Sequence, residues 1–116
     1  MKIVLPWPPS ALSPNSRKHW SIKAKAAAKH KADCQYAAMA AGARQLHWPS
    51  MSVAITFCPP GNQRRDLDNM LAAMKSGLDG LAAATAVDDS KWSITLARGD
   101  WVKGGAVDVE ISPSGA

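Results

Sequence analysis

Four stretches in which apolar residues recur at every second position constrain this chain more than any other feature. In residues 2 to 7, Ile3, Leu5 and Trp7 share one side, and in residues 51 to 58 Val53, Ile55 and Phe57 do. Trp92, Ile94 and Leu96 then alternate with Ser93, Thr95 and Ala97, and Val107, Val109 and Ile111 alternate with Asp108 and Glu110. A period of two gives a strand with one apolar and one polar face, and the apolar face needs a cover. Two helical patterns supply it. One runs from about Ser21 to Ala41, rich in alanine and lysine, free of proline and glycine, and stopped by Gly42. In that helix Ile22, Ala26, Cys34 and Ala37 make the buried side. In the other, Met70, Leu71, Met74, Leu78 and Leu81 fall on one arc at about 100° per residue.

The order is βαβαββ, which predicts an α+β fold: a two-layer α/β sandwich with two helices packed on one face of a four-stranded mixed sheet. Pro6, Pro8 and Pro9 end the first strand, and Pro59-Pro60-Gly61 ends the second. The last two strands read as a hairpin turned by Lys103-Gly104-Gly105. With 116 residues the chain makes a single domain, 1–116, with a loose tail from about residue 112. No apolar run approaches the roughly twenty residues of a membrane span, and the first residues carry no signal-peptide pattern, which leads to the cytoplasm. Cys34 and Cys58 have no histidine spacing for zinc and are expected to be structural. Asp108 and Glu110 belong to the solvent face of the last strand.

Charge is distributed unevenly. The net charge is +5 and the pI about 9.5, which suits a polyanionic partner. Arg17, Lys18, Lys23, Lys25, Lys29 and Lys31 follow one another with no acid between them, a footprint of the kind nucleic acid exploits. Yet of nine acidic residues, five (Asp66, Asp68, Asp79, Asp88 and Asp89) lie between Arg64 and Asp89. A bland account is available: Asp66 caps the helix, Asp68 favours its first turn, and Lys75 with Asp79 makes a solvated face. Asp88-Asp89 tips the balance, because a carboxylate pair after the helix could fold back toward a cation held by Asp66 and Asp68. Magnesium takes oxygen ligands and keeps several waters, so two or three carboxylates suffice. The adjacent arginines would hold a phosphate.

Arg65-Asp66-Leu67-Asp68-Asn69, a lysine and an aspartate farther along the same helix, then Asp88-Asp89, resemble the RusA family of Holliday junction resolvases. Leu5-Pro6-Trp7-Pro8-Pro9-Ser10 is similar to that family's N-terminal signature, and the similarity covers most of the chain in the same order. One position departs from the pattern. The family's functional lysine usually follows the second aspartate by four residues, where this chain has Ala72; Lys75 is the best candidate, about 4.5 Å farther along the helix at 1.5 Å per residue.

The resemblance implies a magnesium-dependent endodeoxyribonuclease, with manganese as a substitute, that acts as a homodimer on four-way DNA junctions in recombination and repair. Such proteins are often carried by phages and prophages. Asp66, Asp68 and Asp89 would be the metal ligands, with Asp88 as substitute or supporting group and the last two interchangeable. Metal neutralises charge, activates water and stabilises the leaving oxygen. Lys75 would stabilise the charge that develops on phosphorus. Arg64, Arg65 and Asn69 would contact DNA at the site, and Asn15, Arg17, Lys18 and His19 from the loop after the proline segment. Two alternatives belong to other classes: a module that binds branched DNA without cutting it, and a less selective metal nuclease.

Overall fold

The computed structural model describes residues 1–114 and has the expected α+β architecture. Its elements are β1 (Lys2–Pro6), α1 (Trp20–Ala40), β2 (Met51–Cys58), α2 (Leu67–Ala73), α3 (Lys75–Thr85), β3 (Trp92–Arg98) and β4 (Ala106–Pro113), with single 3-10 turns at Ser10–Leu12 and Asp89–Lys91. The sheet order is β1-β4-β2-β3. β4 is antiparallel to both β1 and β2, while β3 runs parallel to β2.

Two expectations change here. The last two strands are not a hairpin: β2 lies between them, and residues 99–105 carry the chain across its end. Alternation specifies which side chains face the core but not which strand is the neighbour. The loose tail expected from about residue 112 is in part a strand end, because Ser112 and Pro113 pair with Ser52 and Met51, and Ser114 N–H donates to the Ser50 carbonyl. The rest of that expectation, residues 115–116, lies outside the described residues.

Alternation puts Ile3, Leu5, Val53, Ile55, Phe57, Val107, Val109 and Ile111 into one core, all essentially buried. α1 and α3 cover it, α3 with Met74, Leu78 and Leu81. Of the side expected for α1, Cys34 is buried and Ala37 packs against the core, whereas Ile22 is exposed; His30, Cys34 and Ala38, one turn apart, make the fully buried stripe. His30 Nε2–H donates to the Pro6 carbonyl at 3.1 Å, which ties α1 to the end of β1. The second helical pattern breaks once. Met74, at φ −88° and ψ −4°, ends α2 and begins α3, and its N–H is shared among the carbonyls of Met70, Leu71 and Ala72.

The two helices approach closely because α3 carries Gly77 and Gly80 on its inner side. A Cβ at residue 80 would collide with the Lys31 carbonyl oxygen, and one at residue 77 would come within 2.9 Å of Cys34 Sγ and Met74 Cε. The helical cover is only partial over β3, where Trp92 and Leu96 pack half-buried against the core. That strand is an edge of the sheet, and Ile94, opposite Val53 in register, is 44% exposed.

Register fixes what meets at each end of the sheet. Pro6, Ala106, Cys58 and Arg98 align at one end, because Pro6 and Cys58 both face Ala106 and Arg98 faces Phe57. The proline segment, residues 59–66 and the crossover 99–105 therefore gather at that end. Met51, Trp92 and Pro113 align at the other.

Candidate nucleic-acid interface

Trp7 organises the first of these ends. Its ring meets Phe57 edge to face, with centroids 6.2 Å apart, and the Arg65 guanidinium carbon lies 5.9 Å above it. Gly105, at φ +72°, lies close against Trp7, where a Cβ would come within 2.8 Å of the indole. The proline segment is thus held against the loop that precedes α2.

Between them opens a cavity of about 530 Å³, lined by Trp7, Pro8, Pro9, Ser10, Ser13, Asn15, Pro60, Arg64, Arg65, Asp66, Asn69, Met70 and Ala73. Two motifs some sixty positions apart in the chain share one concavity. Asn15, Arg64, Arg65, Asp66 and Asn69, all expected at the site, are among its walls.

Each side chain has a local reason for its place. Asp66 occupies the N-cap position of α2 with extended backbone, yet its carboxylate makes no cap hydrogen bond; it stands exposed in the cavity wall. Asp68 is also exposed, and its Oδ1 accepts from the Asn69 N–H at 3.0 Å. Arg65 is committed to structure, since Nη1 donates to the Gly61 and Gln63 carbonyls at 3.3 and 3.4 Å. Arg64 is exposed beside it.

In the loop before α1, His19 caps the helix by accepting from the Ser21 N–H and lies against Trp20, with ring centroids 5.4 Å apart. Arg17 and Lys18 are exposed and do not line the cavity. Lys23 Nζ donates to the Ser16 carbonyl at 2.8 Å, and Lys29 pairs with Asp33, so part of the basic run holds its own loop and helix.

The other carboxylates are elsewhere. Asp88 and Asp89 follow α3 and precede Trp92, at the Met51 end of the sheet. Seven strand steps separate Met51 from Cys58, about 23 Å at 3.3 Å per step, and the α2–α3 path covers a similar distance. Asp88 is a cap there: its Oδ2 accepts from the Ser90 N–H at 3.0 Å. Hydrogen bonds from Ser90, then the nearby Lys91, hold the Asp88 carboxyl below the usual carboxylate range. The loop does not fold back, because α2 and α3 form a nearly continuous rod that delivers it to the far end.

The expected metal centre is therefore not assembled within one chain. Among the described residues no three of His, Cys, Asp and Glu lie close enough together to share a cation. Lys75, the first residue of α3, is exposed and lies outside the cavity wall.

What sequence reasoning missed lies beside Arg65. Arg98, the last residue of β3, donates from Nη2 to the Arg65 carbonyl at 3.3 Å, taking the place expected for Asp88-Asp89. Trp101 follows on the crossover. The only signal in the sequence was a basic and an aromatic residue three apart after a strand, too common a pattern to single out.

Fold and site together define a two-layer α+β protein with a basic, aromatic-walled cavity at one end of a mixed sheet. No family model matches the chain. An uncharacterized protein of Xylella fastidiosa (strain Temecula1 / ATCC 700964) is 38% identical to it over 93 residues, which are 78% of this chain and 61% of that protein. The chain thus spans about three-fifths of the length of this relative.

Proposed function

We propose that this chain is a structure-selective endodeoxyribonuclease that resolves four-way DNA junctions, as its resemblance to the RusA family implies. The observation that carries the reading is the shared cavity: the Trp7-Pro8-Pro9-Ser10 segment and Arg64, Arg65, Asp66 and Asn69 form one wall although the chain separates them widely. Arginine and asparagine side chains there suit a phosphate and its neighbouring groups. The Asp66 carboxylate makes no cap hydrogen bond in that wall.

The reading requires a pair of chains. Asp66 and Asp68 lie at one end of the molecule and Asp88 and Asp89 at the other. A two-fold pairing that sets unlike ends together brings Asp66 and Asp68 of one protomer to Asp88 and Asp89 of the other, twice. Magnesium, or manganese in its stead, is the cofactor the resemblance implies, and such a joint carboxylate set is where it would be held. Two sites related by a two-fold axis suit a junction whose strands are themselves two-fold related. Arg17, Lys18, Lys25 and Lys31 would contact the arms of the DNA.

One observation favours a second reading, a module that binds branched DNA without cutting it: among the described residues one chain holds no three-carboxylate cluster, and Asp88 serves as a cap. Incubation with a labelled mobile four-way junction and a matching linear duplex, with magnesium or EDTA, separates the two. Paired symmetric nicks on the junction alone, lost in EDTA and in Asp68→Asn, are expected. Tight junction binding without product under magnesium or manganese means the binding module. Equal cutting of duplex means the less selective nuclease.

A further inference from the structure

A second cavity, of about 380 Å³, adjoins the first across Arg64 and Arg65 and is walled on its far side by Arg98, Asp100 and Trp101. We infer that it is a subsite for one unpaired DNA nucleotide, with the base stacked on Trp101 and the phosphate held by Arg64 and Arg98. The inference rests on the DNA reading above and adds to it the unstacked nucleotide and the residues that take it.

Trp101 is 56% exposed, yet its backbone is pinned on both sides. Gly99 N–H donates to the Phe57 carbonyl and Val102 N–H to the Pro59 carbonyl, both at 2.9 Å, and Gly105 N–H closes a turn on the Val102 carbonyl. A large apolar ring held out to solvent on a fixed loop contributes nothing to the core. Beside cations, it is the arrangement by which proteins stack the bases of single strands.

Charge agrees in sign. Arg64, Arg65 and Arg98 against Asp100 leave the walls with a net positive charge. Arg65 is engaged by Trp7 and the Gly61 and Gln63 carbonyls, so the phosphate falls to Arg64 and to the donors of Arg98 not used on the Arg65 carbonyl. Asp100 accepts only, so it repels phosphate and suits an exocyclic amine of a base. The volume suits one nucleotide, near the lower end of the range for small-ligand sites. A paired base is already stacked in its duplex and cannot offer a face to Trp101, so the subsite selects unpaired positions such as those at a branch point.

The test is fluorescence anisotropy in EDTA with two fluorescein-labelled DNAs, a four-way junction carrying four unpaired cytidines at the branch and a fully paired duplex of equal length. Wild type, Trp101→Ala and Trp101→Phe are compared, with circular dichroism and a thermal midpoint as folding controls. The expected result is that the junction-to-duplex affinity ratio falls by about tenfold in Trp101→Ala and largely returns in Trp101→Phe. An unchanged ratio in a folded Trp101→Ala overturns the subsite and leaves the DNA reading standing. Wild-type protein that binds neither DNA overturns both. A fall in molecular mass of Trp101→Ala with its ratio unchanged overturns the subsite in favour of a protein contact.

Discussion

At the scale of single residues, carboxylates that look alike in sequence have different work. Asp66 sits where a cap belongs and does not cap, whereas Asp88 does. Asp66→Asn is therefore expected to change stability by less than about 0.5 kcal/mol while abolishing junction nicking, checked by urea unfolding beside the nicking assay. Asp88→Ala is expected to speed amide exchange at Ser90 and Lys91 and leave the core untouched. The same carboxyl gives a pH signature. Its folded-state pKa is depressed, so its contribution is present above the ordinary carboxylate pKa and fades as pH falls through the depressed value; Ser90 protection should fade with it.

The cysteines are silent for a different cause. Burial, with Asp33 beside it, pushes the Cys34 thiol up to about 12, and burial with Asp108 raises Cys58. Neither should take up iodoacetamide at pH 8 in the native protein, and both should once unfolded, as mass spectrometry would show.

At the scale of elements, the close approach of α1 and α3 depends on small residues as well as on the apolar stripe. Gly80→Ala gains about 1 kcal/mol of helix propensity, but the new methyl group meets the Lys31 carbonyl of α1. Backbone cannot step aside cheaply, and overpacking costs about 1–3 kcal/mol or more. A net loss is expected, read as a lower unfolding midpoint. Gly77→Ala meets mainly side-chain ends and should cost less.

Elements were also the level most legible in sequence. β2 matches its alternation end to end, and of the expected arc Met70, Met74, Leu78 and Leu81 are buried while Leu71 is half-buried against the core. What alternation does not encode is adjacency. Trp92 to Leu96 and Val107 to Ile111 read alike whether they pair or flank β2, and only the loop's bonds to Phe57 and Pro59 decide. The same gap hid half of the site. Asp66, Asn69 and the proline segment were readable as motifs. Arg98, at the end of β3, and Trp101, on the crossover, wall the adjoining cavity, and Asp88-Asp89 are carried off by the length of a helix that periodicity did predict.

At the scale of the whole molecule, unlike ends carry unlike halves of the proposed centre. Mixing two variants tests this directly. Asp68→Asn and Asp89→Asn are each expected to be inactive. Mixed and allowed to exchange subunits, they form a pair in which one joint site has both defects and the other has none. Single nicks in the junction are then expected without paired resolution. A mixture as inactive as its components would show that the sites do not span two chains.

The sheet order also sets a clock. β1 has β4 as its hydrogen-bonded partner in the sheet, Lys2 facing Glu110. During synthesis, residues 2–6 leave the ribosome early and wait for residues 106–110 before their ladder can close. Ile3 and Leu5 remain uncovered by that ladder until residues 106–110 have been made. The proline segment they anchor, and with it the first cavity, can take final form only once the last strand has been made.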